Sequence, residues 1–364
     1  MTLKAATSQP RLVLDGGYGE GGGQILRTAL ALSTLTGRPF ELVNIRANRP
    51  KPGLAAQHLT AVRAAAALCN AAIEGDRLHS PALSFRPREP VRAGNYLFDV
   101  TEAREGGSAG SVTLVLHTIL LPLALASGQS TLTIRGGTHV SWSPSVDYVQ
   151  NVWLPTLLAM GVRAGVELLR WGWYPAGGGE IRVRIQGLSG FPLAPIICSK
   201  RGELRHVRGR AVAANLPAQA HISERMSERA RTLLRESNIS GEIRAEQVDA
   251  VSSGAGIFLA AEYTAGRGGG EALGERGKPA EVVAEEAVAA LLAYHNSGAA
   301  FDVHLGDQLI LPAALSSEES RFSVERVTRH LMTNGWVVER FDVARIAIAG
   351  AEGEPGHVTV VPVK

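Results

Sequence analysis

Apolar residues recur at helical spacing in one stretch after another of this chain, and between those stretches they switch to the alternation of a half-buried strand. The first such succession is a helix GQILRTALALSTLTG, a strand FELVNIR, a helix AAQHLTAVRAAAALCNA, and strands near AAIEG and ALSFRP. The same order returns in GSVTLVLHTILLPLALASG, TLTIRGG, VDYVQNVWLPTLLAMG, VRAGVELLRWG and GEIRVRIQG. A third copy starts at DQLILPAALSS and continues with RFSVERVTR. A helix opening near Thr333 and Asn334 follows, then strands VARIAIAG and HVTVVPV. Recurrence of one supersecondary pattern predicts a repeated α/β unit in which two helices cover one sheet.

Between the second and third copies the period changes. Residues 187–276 read as a strand (ELRHVRGRAVAAN), a charged helix (AHISERMSERARTLLRES) and two strands (EIRAEQV, GIFLAAEY). This predicts a small inserted α/β domain at the rim of the site, with 11–186 and 277–364 forming the large domain and 1–10 a flexible start. Glu and Arg at helical spacing on the insert helix predict a solvated face, with RNA backbone contact as the alternative.

Composition sharpens this picture. A chain of 364 residues with 45% hydrophobic but only 5% aromatic content and 41 glycines predicts aliphatic α/β layers with many tight turns, in more than one domain. A net charge of +3 and a pI near 9.0 permit an anionic partner without requiring one. Cys69 and Cys198 are the only cysteines, which supports neither a disulfide framework nor a cysteine zinc site. The start MTLKAATSQP has no apolar leader, and SVTLVLHTILLPLALA is interrupted by His117 and Pro122. Neither secretion nor a membrane span is expected; a reducing cytoplasm is.

Candidate chemistry concentrates in two loops. LDGGYGEGGGQILR has glycine at six of the eight positions 16–23, although each glycine typically costs about 0.5–1 kcal/mol relative to alanine. A tight turn explains such a run, and so does close approach of backbone amides to a phosphate at a helix start. Gly17, Gly19 and Gly22 also satisfy GxGxxG, with Glu41 downstream as the ribose partner. Glu20, Gln24 and Arg27, placed in the loop and along the helix, argue against that dinucleotide reading. The second loop, RANRPKPGLAAQH, brings Arg46, Arg49 and Lys51 before a helix start, a set suited either to phosphates or to solvent. The ten histidines show no metal-ligand spacing. His330 stands apart at a strand-to-helix junction.

Taken together and in this order, LDGGYGEGGGQILRTALALS, RANRPKPGLAAQHLTAV, GSAGSVTLVLHT, YPAGGGE, LGERG, DQLILPAAL and RHLMTN resemble the RNA 3′-terminal phosphate cyclase family over residues 11–345. The resemblance implies an α/β fold of three repeated βαβαββ-like units, similar to those of enolpyruvyl transferases, with a small inserted α/β domain. It also implies an ATP-dependent enzyme that acts on RNA 3′-phosphate ends through a histidine–AMP intermediate and a divalent metal, Mg2+ or Mn2+. The family's nucleophile falls on His330. Its active-site and phosphate-handling positions fall on Glu20, Gln24, Arg27, Arg46, Arg49, Gln57 and His58, and its nucleotide contacts on Pro144, Asp307 and Gln308. Glu20 is also the candidate metal ligand.

An imidazole with an ordinary pKa of about 6.5 serves as nucleophile near neutral pH. Two positions depart from the family pattern, His117 replacing a usual Gln and His304 a usual Tyr. Both belong to the implied nucleotide pocket, and titration of the two rings predicts nucleotide affinity that varies between about pH 6 and 8 and looser discrimination of ATP from GTP. The family's non-catalytic ribosome-assembly branch, which binds RNA, is the alternative, and the presence of His330 argues against it. The sequence leaves the natural RNA, 5′-end adenylation and a homodimer open.

Overall fold

Alternate residues of the first strands, Leu12, Leu14, Phe40, Leu42, Leu83 and Phe85, are buried beneath two helices, as a one-sided sheet requires. The computed structural model describes residues 11–103, 108–190 and 192–363, so the predicted flexible start lies outside the described residues. The first unit runs β1 (Leu12–Asp15), α1 (Gly23–Thr36), β2 (Phe40–Val43), α2 (Ala56–Cys69), β3 (Ala72–Glu74) and β4 (Leu83–Arg86). Its strand order is β1-β2-β4-β3, with β1 and β2 parallel and the other pairs antiparallel.

The second unit repeats that plan with β5 (Asn95–Asp99), α3 (Val112–Leu125), β6 (Gln129–Gly136), α4 (Val146–Tyr148) and α5 (Leu154–Ala159), β7 (Arg163–Arg170) and β8 (Gly179–Gln186). A π-turn at Val149–Trp153 joins α4 to α5. The strand order, β5-β6-β8-β7, matches that of the first unit. Helix α3 is apolar on nearly every side because all its residues but His117 are buried, packed on α1 and α2.

The third unit opens on β9 (Ile197–Cys198) and is then interrupted by β10 (Leu204–Ala214), α6 (Ile222–Glu236), β11 (Gly241–Val248), β12 (Gly254–Tyr263), β13 (Arg267–Leu273) and α7 (Ala280–Ser297). It resumes with α8 (Val303–Gln308), α9 (Ile310–Ala314), β14 (Ser320–Val324), α10 (Arg329–Arg340), β15 (Ala344–Ala349) and β16 (Gly356–Pro362). The order β9-β14-β16-β15 is again that of the first unit. The helices of all three units share one apolar core, with α1 touching α2, α3 and α10.

The sequence pattern predicts units that begin on a helix, whereas each begins on a strand. β1 and β9 are too short, at four and two residues, to display a period. The interrupting segment has its own sheet, β11-β10-β12-β13, and its own core from Val207 to Tyr294, covered by α6 and α7. A boundary at 276 would part α7 from the sheet it covers, so we propose 204–297 as the small unit. Strand β13 was hidden by Gly268, Gly269 and Gly270. A Cβ at Gly268 would run into Tyr294, and one at Gly270 into the backbone of α7. The charged face of α6 is only partly solvated, because Arg225 and Arg229 pair with Glu281 and Glu285 of α7. Among the described residues no helix is long and apolar enough to cross a membrane.

Candidate active site

The glycine run turns from β1 into α1 and rests on the third unit. Gly19 and Gly21 adopt φ of 57° and 64°, the left-handed region that favours glycine. A Cβ on Gly19 would collide with the Thr333 hydroxyl, which accepts a hydrogen bond from the Glu20 amide at 3.1 Å. Tyr18 stacks on Trp336 of α10 with ring centroids 4.2 Å apart. The sheet behind this loop is four-stranded and mixed, not the parallel frame of a dinucleotide fold, so the GxGxxG match lacks its context.

Helix α10 opens at Arg329, capped by Thr328, whose hydroxyl accepts the Leu331 amide at 3.0 Å. The predicted opening at Thr333 and Asn334 is therefore corrected by a turn. These cap-type residues are buried and bond across units instead. Asn334 Oδ1 accepts from the Thr28 hydroxyl at 2.6 Å, and its Nδ2 donates to the Asp307 carbonyl at 2.7 Å. His330 thus sits in the first turn of α10, with Nε2 3.8 Å from Glu20 Oε1. Arg49 forms an ion pair with the same carboxylate oxygen. Partial burial, for nearly half of the side chain is exposed, and then the charges of Arg27 and Arg49 pull the imidazole down to about 4, below the ordinary value the sequence predicts. The ring is neutral at pH 7.

Arg27 is the hub of the site. Its guanidinium donates to Gln24 Oε1 at 2.6 Å, and Gln24 in turn donates to the Thr28 hydroxyl at 3.2 Å. Burial lowers Arg27 to about 10 while Asp307 opposes the shift, and burial raises the Asp307 carboxyl. The Arg27 charge also bears on His58, His117 and His330, one side chain from each unit.

His58 Nδ1 accepts the Ala55 amide at 3.1 Å, which leaves the Nε2 proton facing the start of α1 at Gly23. Burial, Arg27 and Arg46 hold that ring at about 3. Gln57 accepts the Ser111 amide at 2.9 Å and so ties α2 to the start of α3. His117 lies against Trp153, with centroids 4.1 Å apart, and burial with Arg27 holds it at about 3. It stays neutral between pH 6 and 8, which corrects the expectation that it titrates there.

The opposite wall is set by two helix caps. Thr113 donates to the Pro144 carbonyl at 2.7 Å, and Ser145 caps α4. Asp302 caps α8, the helix of His304, Asp307 and Gln308, and also accepts from the Tyr148 hydroxyl at 2.8 Å. His304 is exposed and stands edge-on to Tyr148. Strand β13 of the insert grips both caps: the Gly269 amide donates to Asp302 at 2.8 Å, and Glu271 accepts from Ser145. Asp302 was legible as a cap-type residue before HLGDQ; nothing in the sequence pointed to Glu271.

The predicted residues do not all meet. Arg46 donates to the Gly53 carbonyl at 2.9 Å and its charge reaches His58, and Lys51 is exposed. Yet among the described residues Glu20 Oε2, His117 Nε2 and Gln308 Oε1 are all buried without a hydrogen-bond partner. Such orphaned groups are costly, and a polar ligand is one way to satisfy them.

Comparison with known proteins places the chain among relatives. The family model for RNA 3′-terminal phosphate cyclase matches residues 18–348. The chain is 58% identical to the RNA 3′-terminal phosphate cyclase of Methylococcus capsulatus over 96% of each chain. It is 45% identical to that of Archaeoglobus fulgidus, covering 90% of this chain and 94% of the relative, and 41% identical to that of Pyrococcus furiosus, covering 96% and 98%. With the repeated βαβαββ units, the cross-unit cluster around Arg27 and a family match across nearly its whole length, this chain belongs to the RNA 3′-terminal phosphate cyclase family.

Proposed function

We propose that this protein uses ATP to convert RNA 3′-phosphate ends into 2′,3′-cyclic phosphates, with His330 as the covalent nucleophile. The observation that carries the proposal is the placement of His330 in the first turn of α10, with Nε2 3.8 Å from the Glu20 oxygen that Arg49 also pairs with, where burial and the charges of Arg27 and Arg49 favour the neutral ring. A neutral imidazole offers a lone pair, and the helix start and guanidiniums favour the phosphates it would attack.

In the first step the Nε2 lone pair bonds to the α-phosphorus as the bond to the bridging oxygen breaks, and pyrophosphate leaves with that electron pair. The Glu20 carboxylate stabilises the positive charge that develops on the ring, while Arg27 and Arg49 offset charge on the phosphates. A 3′-phosphate oxygen of RNA then attacks the AMP phosphorus, breaking the P–N bond and restoring His330. Finally the 2′-hydroxyl oxygen bonds to the 3′-phosphorus, its proton leaves to water, and AMP departs with the electrons of the broken P–O bond.

Gln24, Gln57, His117, Pro144, His304, Asp307 and Gln308 form the proposed nucleotide pocket. Neutral His117 retains the donor and acceptor capacity of the Gln usual at its position. The residues present fit a divalent ion, because Glu20 Oε2 has no hydrogen-bond partner among the described residues. Among the described residues no cluster of three metal-type side chains exists, so Mg2+ or Mn2+ held by Glu20 would take its other ligands from phosphates and water. Such an ion supplies charge neutralisation for the leaving pyrophosphate. The test is intact-protein mass spectrometry after incubation with ATP and Mg2+: one added AMP is expected, and its absence rejects the reading. The RNA-binding, non-catalytic alternative requires that absence.

A further inference from the structure

The insert sheet carries α6 and α7 on one face only. Its other face looks across a cleft of about 480 Å3 at the α4 segment of the second unit, and Arg208 and Arg210 of β10 and Arg244 of β11 line it with Phe258. Two carboxylates share the cleft. Asp147 is already engaged, accepting from His139 Nε2 at 2.9 Å and paired with Arg210 at 3.3 Å. Glu242 stands opposite Arg208 in the β10–β11 register. Arg210 also pairs with Glu246 and lies over the Trp171 ring at 5.5 Å. Arg208 and Arg244 make no ion pair among the described residues, so two guanidiniums face solvent in a concave surface.

Beside the cleft, two loops are laced together where the Thr138 and His139 amides both donate to the Gly172 carbonyl, at 2.9 and 3.1 Å. The His139 ring packs on Trp171 and Trp173, centroids 4.6 and 5.1 Å away. Each loop carries a large ring beyond that base: Trp142 is 98% exposed and Tyr174 78% exposed. Trp142 also sits at φ 64°, a conformation that costs a bulky side chain energy. Packing does not account for an indole held in water on a strained backbone.

We infer that the cleft and these two rings form a single-stranded RNA surface, on which Trp142 and Tyr174 stack bases and Arg208 and Arg244 hold phosphates of the strand leading to the reacting 3′-end. A groove that offers guanidiniums to the phosphates, flanked by open aromatic faces for the bases, is how proteins bind single strands without reading sequence. Placement favours this occupant. Trp142 lies two residues before Pro144, and within α4 Asp147 faces the cleft while Tyr148 bonds Asp302, the cap of the helix carrying His304. The cleft and the wall of the proposed nucleotide pocket therefore share the short α4 segment. The inference rests on the proposed function for its substrate, but its test does not depend on catalysis.

The test measures binding of an unstructured, 3′-phosphorylated RNA oligonucleotide by fluorescence anisotropy across a salt series, without ATP, alongside self-adenylation. Trp142→Ala combined with Tyr174→Ala is expected to weaken binding about tenfold or more with the salt slope unchanged. Arg208→Gln combined with Arg244→Gln is expected to weaken binding and reduce the log–log salt slope by about 1.4, that is about 0.7 for each phosphate no longer neutralised. Both double variants should self-adenylate as the wild type does. Wild-type RNA affinity in either double variant overturns the assignment. Failure of the wild type to self-adenylate would instead sink the proposed chemistry and leave the binding result to stand by itself.

Discussion

The carboxylate of Glu271, on the insert, accepts both the amide and the hydroxyl of Ser145, the hydroxyl at 2.5 Å, and Ser145 is the residue that follows Pro144. Two residues earlier on the same strand, Gly269 holds the cap of α8. The insert is thereby built into both walls of the proposed nucleotide pocket. Removing the acceptor leaves the Ser145 donors unpaired, so Glu271→Ala is expected to raise the ATP concentration for half-maximal adenylation about tenfold, equivalent to ~1.4 kcal/mol. The maximal rate should change much less, and Glu271→Gln should recover most of the affinity. An unaltered ATP dependence in the alanine variant would separate the insert from nucleotide binding.

The same carboxyl is expected to make stability depend on pH. Burial, with Asp147 and Asp302 nearby, raises Glu271 to about 7, above the ordinary value near 4.3. A raised carboxyl means that the folded state binds more protons than the unfolded one between those values, so its contribution is lost as pH climbs through the window. Glu271→Gln should therefore gain stability relative to wild type from about pH 5 to pH 8, read from urea midpoints. A gap that is constant with pH, or that narrows, contradicts the assignment.

His330 carries a prediction about rate. Because its ring is held at about 4, self-adenylation should show no acid limb at the usual histidine pKa and stay level from pH 8 down to about 5.5. His330→Ala should melt as the wild type does, since the side chain is 47% exposed, and form no AMP adduct. An adduct in that variant removes His330 from the chemistry.

Arg49 and Arg46 should behave differently. Arg49 is 42% exposed and serves Glu20, so Arg49→Ala is expected to cost no more than about 1 kcal/mol of stability. Adenylation should nonetheless fall about 10²-fold as charge stabilisation is lost. Arg46 also secures its own loop through the Gly53 carbonyl, so Arg46→Ala should lower both the melt and the activity. Equal effects of the two variants on stability would contradict this division.

Periodicity in the sequence was enough to determine the repeat, because apolar spacing encodes which face each helix and strand buries, and three copies reinforce one another. Motif order carried the family and the residues around His330. What the sequence could not supply was distance. β9 is two residues long and acquires meaning only by pairing with β14. β13 reads as a glycine turn until α7 lies on it, and Glu271 is one acidic residue among many until Ser145 is beside it. Thr333 and Asn334 are good cap residues locally, yet contacts with Glu20, Thr28 and Asp307 recruit them into the helix and move its start to Arg329. The protonation states of His58, His117 and His330 likewise follow from desolvation and from Arg27, which is adjacent to all three only once the units have packed. Local pattern specifies elements; charge and desolvation depend on neighbours that only the tertiary structure brings within reach.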